Sequence, residues 1–143
     1  MTGDKVFLDT NIVVYAYDIS AGKKHDVAAN LMIDLWNTGL GVISTQVLQE
    51  FFVIVTKKIP NPLTIHKAKE IIKDLLTWDV VIPNGDTILS AIDITTRYKY
   101  SFWDSLIITT AIESGASVLF TEDLSDGQTI KGLKIKNPFR NRS

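Results

Sequence analysis

Residues 6–11 read Val6-Phe7-Leu8-Asp9-Thr10-Asn11: three apolar side chains in a row, then an acid, a hydroxyl and an amide. A strand with one wet face alternates apolar and polar residues, so an unbroken apolar run suits a strand covered on both faces. The pattern recurs. Val42-Ile43 runs into Ser44-Thr45-Gln46, and Val118-Leu119-Phe120 runs into Thr121-Glu122-Asp123. Val80–Ile82 and a weaker Leu133–Ile135 supply two more strand-length runs. Between these runs the apolar residues follow a helical period over 25–38, 45–57, 64–77, 86–98 and 103–114. In 25–38, for example, Val27, Leu31 and Leu35 share one face. Short buried strands alternating with helices predict an α/β fold, a three-layer α/β/α sandwich with a central parallel sheet of about five strands.

Punctuation agrees with this division. Pro60 and Pro62 separate two of the helices, Pro83-Asn84-Gly85 closes the third strand, and Gly115 ends the 103–114 helix. No linker, repeat or low-complexity stretch interrupts the chain. Its 143 residues are expected to form a single domain with one sizeable core.

Composition narrows the chemistry. Cysteine is absent, which removes disulfides, thiolate metal sites and cysteine nucleophiles together. The two histidines, His25 and His66, are too few for a multi-histidine metal site. Sixteen carboxylates remain, and their hard oxygens suit magnesium or manganese rather than zinc or copper. The net charge of −1 conceals a division: residues 1–126 hold ten basic against sixteen acidic side chains, a balance of −6. The tail from 127 on carries Lys131, Lys134, Lys136, Arg140 and Arg142 with no acid, a balance of +5. Such a tail serves solubility or meets phosphate. The start, Met1-Thr2-Gly3-Asp4-Lys5, does not resemble a signal peptide, and apolar stretches such as Phe51–Val55 fall far short of a membrane span. A cytoplasmic protein without a membrane partner is expected.

In open parallel sheets, ligand sites form beyond the carboxyl ends of the strands. Asp9 and Asp123 both emerge there. Polar residues at such points also cap the helices that follow, which accounts for either acid alone. Glu50 stands in the most apolar helix, with Val47 and Ile54 on its own face. It is either a boundary residue reaching solvent or an inward carboxylate in need of a partner. Ser101-Phe102-Trp103-Asp104 matches a capping box, while the same helix start places Asp104 at the carboxyl edge, and both readings are compatible. Four anions gathered without a cation would raise one another's pKa values and cost stability. Asp9, Glu50, Asp104 and Asp123 together therefore imply a bound divalent metal, suited to phosphoryl chemistry.

These residues resemble the PIN-domain ribonucleases. Leu8-Asp9-Thr10-Asn11-Ile12-Val13-Val14-Tyr15-Ala16 is similar to the family's opening motif and Gln46-Val47-Leu48-Gln49-Glu50-Phe51-Phe52 to its second. Trp103-Asp104-Ser105-Leu106-Ile107 and Leu119-Phe120-Thr121-Glu122-Asp123-Leu124 are similar to the third and fourth. The resemblance spans residues 5–139 and is closest to VapC-type toxins of toxin–antitoxin pairs. It implies an endoribonuclease in which Asp9, Glu50, Asp104 and Asp123 hold Mg²⁺ or Mn²⁺, leaving 5′-phosphate and 3′-hydroxyl ends. Asp126 stands as a further metal ligand, in place of Asp123 or beside it. Thr10, Asn11 and Thr121 would orient the carboxylates. The resemblance further implies a homodimer and a small antitoxin, for which Phe51 and Phe52 either line a groove or fill the core. Lys57, Lys58 and the tail from Lys131 to Arg142 are expected to meet the RNA backbone.

Three rivals are a receiver-type Mg²⁺-binding signalling module, a non-catalytic RNA-binding relative and a phosphatase with a nucleophilic aspartate. The first needs an aspartate ending the third strand, where Val80-Val81-Ile82-Pro83-Asn84 has none. The second fits poorly with four intact acids. A nucleophilic-aspartate phosphatase wants a second acid where Asn11 stands.

Overall fold

The computed structural model describes residues 3–140. In chain order they form β1 (Val6–Leu8), α1 (Thr10–Ala16), a 3₁₀ turn (Ile19–Ala21), α2 (Lys23–Thr38), β2 (Gly41–Ser44), α3 (Thr45–Lys57) and α4 (Ile65–Leu75). There follow β3 (Asp79–Val81), α5 (Gly85–Tyr98), α6 (Phe102–Glu113), β4 (Val118–Phe120), β5 (Thr129–Ile130) and β6 (Leu133–Lys136). The strands make one sheet in the order β3-β2-β1-β4-β6-β5. All neighbours are parallel except β5 and β6.

The α/β sandwich is as the sequence predicts: five parallel strands in the order β3-β2-β1-β4-β6, with a sixth, β5, added antiparallel at the edge. The added strand, β5, is two residues long and too polar to register as an apolar run. It returns into β6 through Lys131 and Gly132, whose φ angles of 50° and 84° give the tight hairpin that matches strand twist. The helix α1 also went without a range of its own in the periodicity, because seven residues span barely two turns.

Side chains fix the helix starts. Ser44 accepts from the Val47 N–H, Thr64 from Lys67 and Ser101 from Asp104, and Asn84 exchanges bonds with Thr87 in a reciprocal box. The core gathers Phe7 and Leu8 of β1, Val42 and Ile43 of β2 and Leu119 of β4, all without exposed surface. The helix α6 is buried from Ser105 to Ala111. Its polar groups are met internally: Thr109 donates to the Ser105 carbonyl at 2.7 Å, and the Ser105 hydroxyl accepts from Thr95 at 2.9 Å. A helix stretch apolar on most sides belongs inside, which is why α6 is wet only at its two ends.

The topology places a crevice. From β1 the chain steps outward through β2 to β3, then returns past β1 to β4 on its other side. The direction of winding reverses between β1 and β4, so their carboxyl ends splay apart and leave room for a ligand. No helix of the described residues is long and apolar enough to cross a membrane.

Candidate functional site

A cavity of about 480 Å³ opens at that reversal, and Asp9, Glu50, Asp104 and Asp123 all line it. Each arrives on a different element. Asp9 follows β1 as the N-cap of α1, Glu50 sits about one and a half turns into α3, Asp104 lies in the first turn of α6, and Asp123 follows β4.

Asp9 is the most buried of the four, at 7% exposure. One carboxylate oxygen accepts from the Thr10 N–H at 2.7 Å, and the other accepts from the Thr121 hydroxyl at 2.8 Å. These bonds favour the anion, but loss of water outweighs them. Burial, reinforced by the charges of Asp123 and Glu50, pushes the Asp9 pKa from 3.8 to about 6. The Thr121 hydroxyl also accepts from the Asp123 N–H at 3.2 Å, so one side chain sets both acids. Asp123 takes a further bond from the Asn11 amide at 2.9 Å. Its carboxyl too is raised, first by partial burial and then by the charges of Glu122 and Asp104.

Glu50 is half-buried, and its two oxygens have separate partners: the Thr10 hydroxyl at 2.5 Å and the Gln46 amide at 3.4 Å. The Gln46 amide also donates to the Trp103 carbonyl at 3.3 Å, tying α3 to the start of α6. Because Glu50 and the Trp103 carbonyl only accept, Gln46 must turn its nitrogen toward both. Its Oε1 is then left buried without a donor. At Asp104 the backbone N–H is capped by Ser101 at 3.1 Å. That is half of the predicted box, and the Asp104 carboxylate lines the cavity instead. Thr10, Asn11 and Thr121 thus each hold one or two of the cavity's carboxylates, as residues meant to orient them would.

Other expected groups lie elsewhere. Asp126 is absent from the cavity lining. Its carboxylate accepts from the Asn137 N–H at 2.8 Å and stands 3.8 Å from the Arg140 guanidinium, which turns it toward the C-terminal segment. Phe51 has no exposed surface and fills the core, so the expected groove cannot use it; Phe52 is partly buried. Val53 and Trp103 are the exposed apolar groups that line the cavity, at 44% and 62%. Of the basic tail, Lys136 pairs with Phe120 near the carboxyl edge, whereas Lys134 pairs with Val118 at the opposite end of the sheet. Arg142 lies outside the described residues.

Sequence reading also passed over a clamp beside the site. Glu122 accepts from the Tyr15 hydroxyl and, at 2.7 Å, from Lys24. Asn11 and Tyr15 stand one helical turn apart on α1, so that single face grips consecutive acids, Asp123 and Glu122. The i, i+4 spacing of an amide and a phenol was the available signal.

The donor set is oxygen only and anionic, and Lys58 is the one Lys or Arg among the described residues lining the cavity. That chemistry fits a hard divalent cation. As the side chains stand, no three acidic or imidazole groups of the described residues are close enough to enclose an ion.

Comparison with known proteins bears on this arrangement. No curated protein sequence matches the chain. In fold it is similar to a toxin–antitoxin complex from Klebsiella pneumoniae, with a TM-score of 0.70 and 20% identity over 96% of this chain and 100% of the other. It is also similar to VapBC2 from Rickettsia felis bound to a DNA fragment of its promoter, with a TM-score of 0.64 and 22% identity over 92% and 97%. Mycobacterium tuberculosis VapC20, a toxin that cleaves the sarcin–ricin loop, matches with a TM-score of 0.61 and 17% identity over 80% and 87%. The model of the PIN domain matches residues 6–125, which takes in all four cavity acids, and the chain belongs to the PIN domain family.

Proposed function

We propose that the chain, as a single domain over residues 1–143, is a Mg²⁺- or Mn²⁺-dependent endoribonuclease and the toxin of a type II toxin–antitoxin pair. The observation that carries this reading is the arrival of four carboxylates from four separate elements in one cavity, with Asp9 buried and uncompensated. Asp9, Glu50, Asp104 and Asp123 would hold the metal, and Asp126 is left out because it faces the C-terminal segment. When bound, the ion supplies an activated water and neutralises charge on a phosphodiester. The chain's own polar groups restrict how the acids can turn. Thr121 and the Thr10 N–H fix Asp9, the Thr10 hydroxyl fixes Glu50, and Asn11 fixes Asp123.

Likeness to toxin–antitoxin complexes supports a small antitoxin as partner, acting in the cytoplasm where the RNA is. A homodimer has a surface to use: Ile88, Leu89 and Ile92 form an exposed apolar stripe on α5. The deciding experiment incubates the purified chain with RNA in Mg²⁺, in Mn²⁺ and in excess chelator. Cleavage with metal, lost in chelator and in a folded Asp9→Asn variant, is expected. Cleavage that survives either change refutes the reading.

A further inference from the structure

The cavity has two unlike ends. The acids crowd beneath the sheet edge, while the outer end is apolar and basic. Along α3 the residues about one turn beyond Glu50 are Val53 and Ile54, and Lys58 is the C-cap of the helix. Lys58 therefore stands about 12 Å along the axis from the acid. Across from them, at the start of α6, the Trp103 indole is 62% exposed although it borders a buried helix and a carboxylate. Exposing a large aromatic at such a place costs hydrophobic stabilisation that a polar residue would not forgo. Its base is held firmly: the Trp103 carbonyl takes the Gln46 amide, and the ring lies edge-on to Phe102 at 5.1 Å. Lys58 is exposed, and although its backbone N–H closes the helix on the Ile54 carbonyl, its ammonium has no ion pair or hydrogen bond among the described residues.

We propose that Trp103 and Lys58 form a nucleotide subsite beside the acids, in which an unpaired RNA base stacks on the indole and Lys58 takes a neighbouring phosphate. The inference rests on the nuclease reading and adds where a substrate is gripped. Aromatic faces bind bases whatever their sequence, and a nearby cation tracks the backbone; this pairing is what single strands need. A base within a duplex has no free face to offer, so the subsite selects single-stranded segments. An apolar peptide would use Val53 and Trp103 but leave Lys58 without an anion.

The test titrates a short single-stranded RNA, in chelator to prevent turnover, against the full chain while tryptophan fluorescence is read. Trp36 and Trp78 pack against each other at 5.3 Å away from the cavity and serve as an internal constant. Quenching that vanishes in Trp103→Ala is expected, with binding weakened roughly five- to hundredfold and largely restored in Trp103→Phe. An abasic oligonucleotide should bind the native chain as weakly as intact RNA binds Trp103→Ala. Lys58→Ala should lower the slope of log affinity against log salt by about 1. Unchanged RNA affinity in Trp103→Ala overturns the proposal. So does a loss confined to antitoxin binding, which would make the surface a protein dock. If the native chain cleaves no RNA in any metal, yet Trp103 is quenched by the single strand, the nuclease reading fails and the subsite stands.

Discussion

Replacing Asp9 with asparagine should make the metal-free protein more stable at neutral pH while removing its activity. Asp9 carries a native pKa of about 6 against an ordinary 3.8. The folded state thus holds this proton more tightly than the unfolded chain does. The resulting stabilisation is complete below about pH 3.8 and disappears as pH rises through about 6. Above that, the metal-free fold carries an ionised, buried carboxylate at a cost of about 3 kcal/mol. Asparagine removes the charge and keeps the shape. Its carbonyl still accepts from the Thr10 N–H, and the Thr121 hydroxyl can turn to accept from its amide. The lost charge-assisted bonding takes back about 1 kcal/mol, leaving a net gain of about 2 kcal/mol. In a chain of this length that is a rise in Tm of about 6 °C. Melting followed by circular dichroism in chelator should show this difference at pH 7.5 and its disappearance near pH 4. Adding Mg²⁺ or Mn²⁺ should reverse the order, since only the native chain gains a compensating cation. An Asp9→Asn protein that melts below the native chain at pH 7.5 in chelator would refute the idea that Asp9 is uncompensated there.

Further outcomes follow from single contacts. Thr121→Val takes a donor from Asp9 and an acceptor from the Asp123 N–H, so metal affinity measured by calorimetry should fall roughly ten- to hundredfold with the fold intact. Gly41→Ala would place a Cβ 2.4 Å from the Trp78 ring, and denaturant melts should show a loss of about 1–3 kcal/mol. Lys99 ends α5 at φ 64°, a left-handed position that glycine adopts without strain, so Lys99→Gly should stabilise by about 0.5–1 kcal/mol.

The fold was legible because its strands are covered on both faces. Val6-Phe7-Leu8, Val42-Ile43 and Val118-Leu119-Phe120 are continuous apolar runs, and continuity on that scale has few other causes. What escaped was short or polar. β5 consists of Thr129 and Ile130 and owes its pairing to the geometry of the Lys131-Gly132 turn, which depends on φ angles rather than hydrophobicity. Phe51 and Val53 illustrate a second limit. Both lie in one apolar run, and the packing of α3 on α1, α4 and β2 decides that Phe51 points inward while Val53 meets the cavity.

The site divides along the same line. Of its acids, Glu50 could be picked out because a carboxylate between Val47 and Ile54 is anomalous on sequence alone, whereas Asp9, Asp104 and Asp123 stood out only by their places at strand ends and a helix start. The groups that hold those acids could not be assigned to partners, because threonine and asparagine after a strand look like ordinary helix caps. In the fold the capping falls to Asp9, and Thr10, Asn11 and Thr121 are left to hold the acids. Asp9 caps α1 through the Thr10 N–H, and the same residue, Thr10, reaches Glu50 with its hydroxyl. Ser101 caps α6 and so frees Asp104 from the capping role that its own spacing suggested. Had Asp104 closed the box, its carboxylate would lie over the Ser101 N–H and the cavity would be one anion short. Two helix starts are therefore part of the site's construction: at α1 the cap is itself a site acid, and at α6 the cap is Ser101 and the acid beside it lines the crevice.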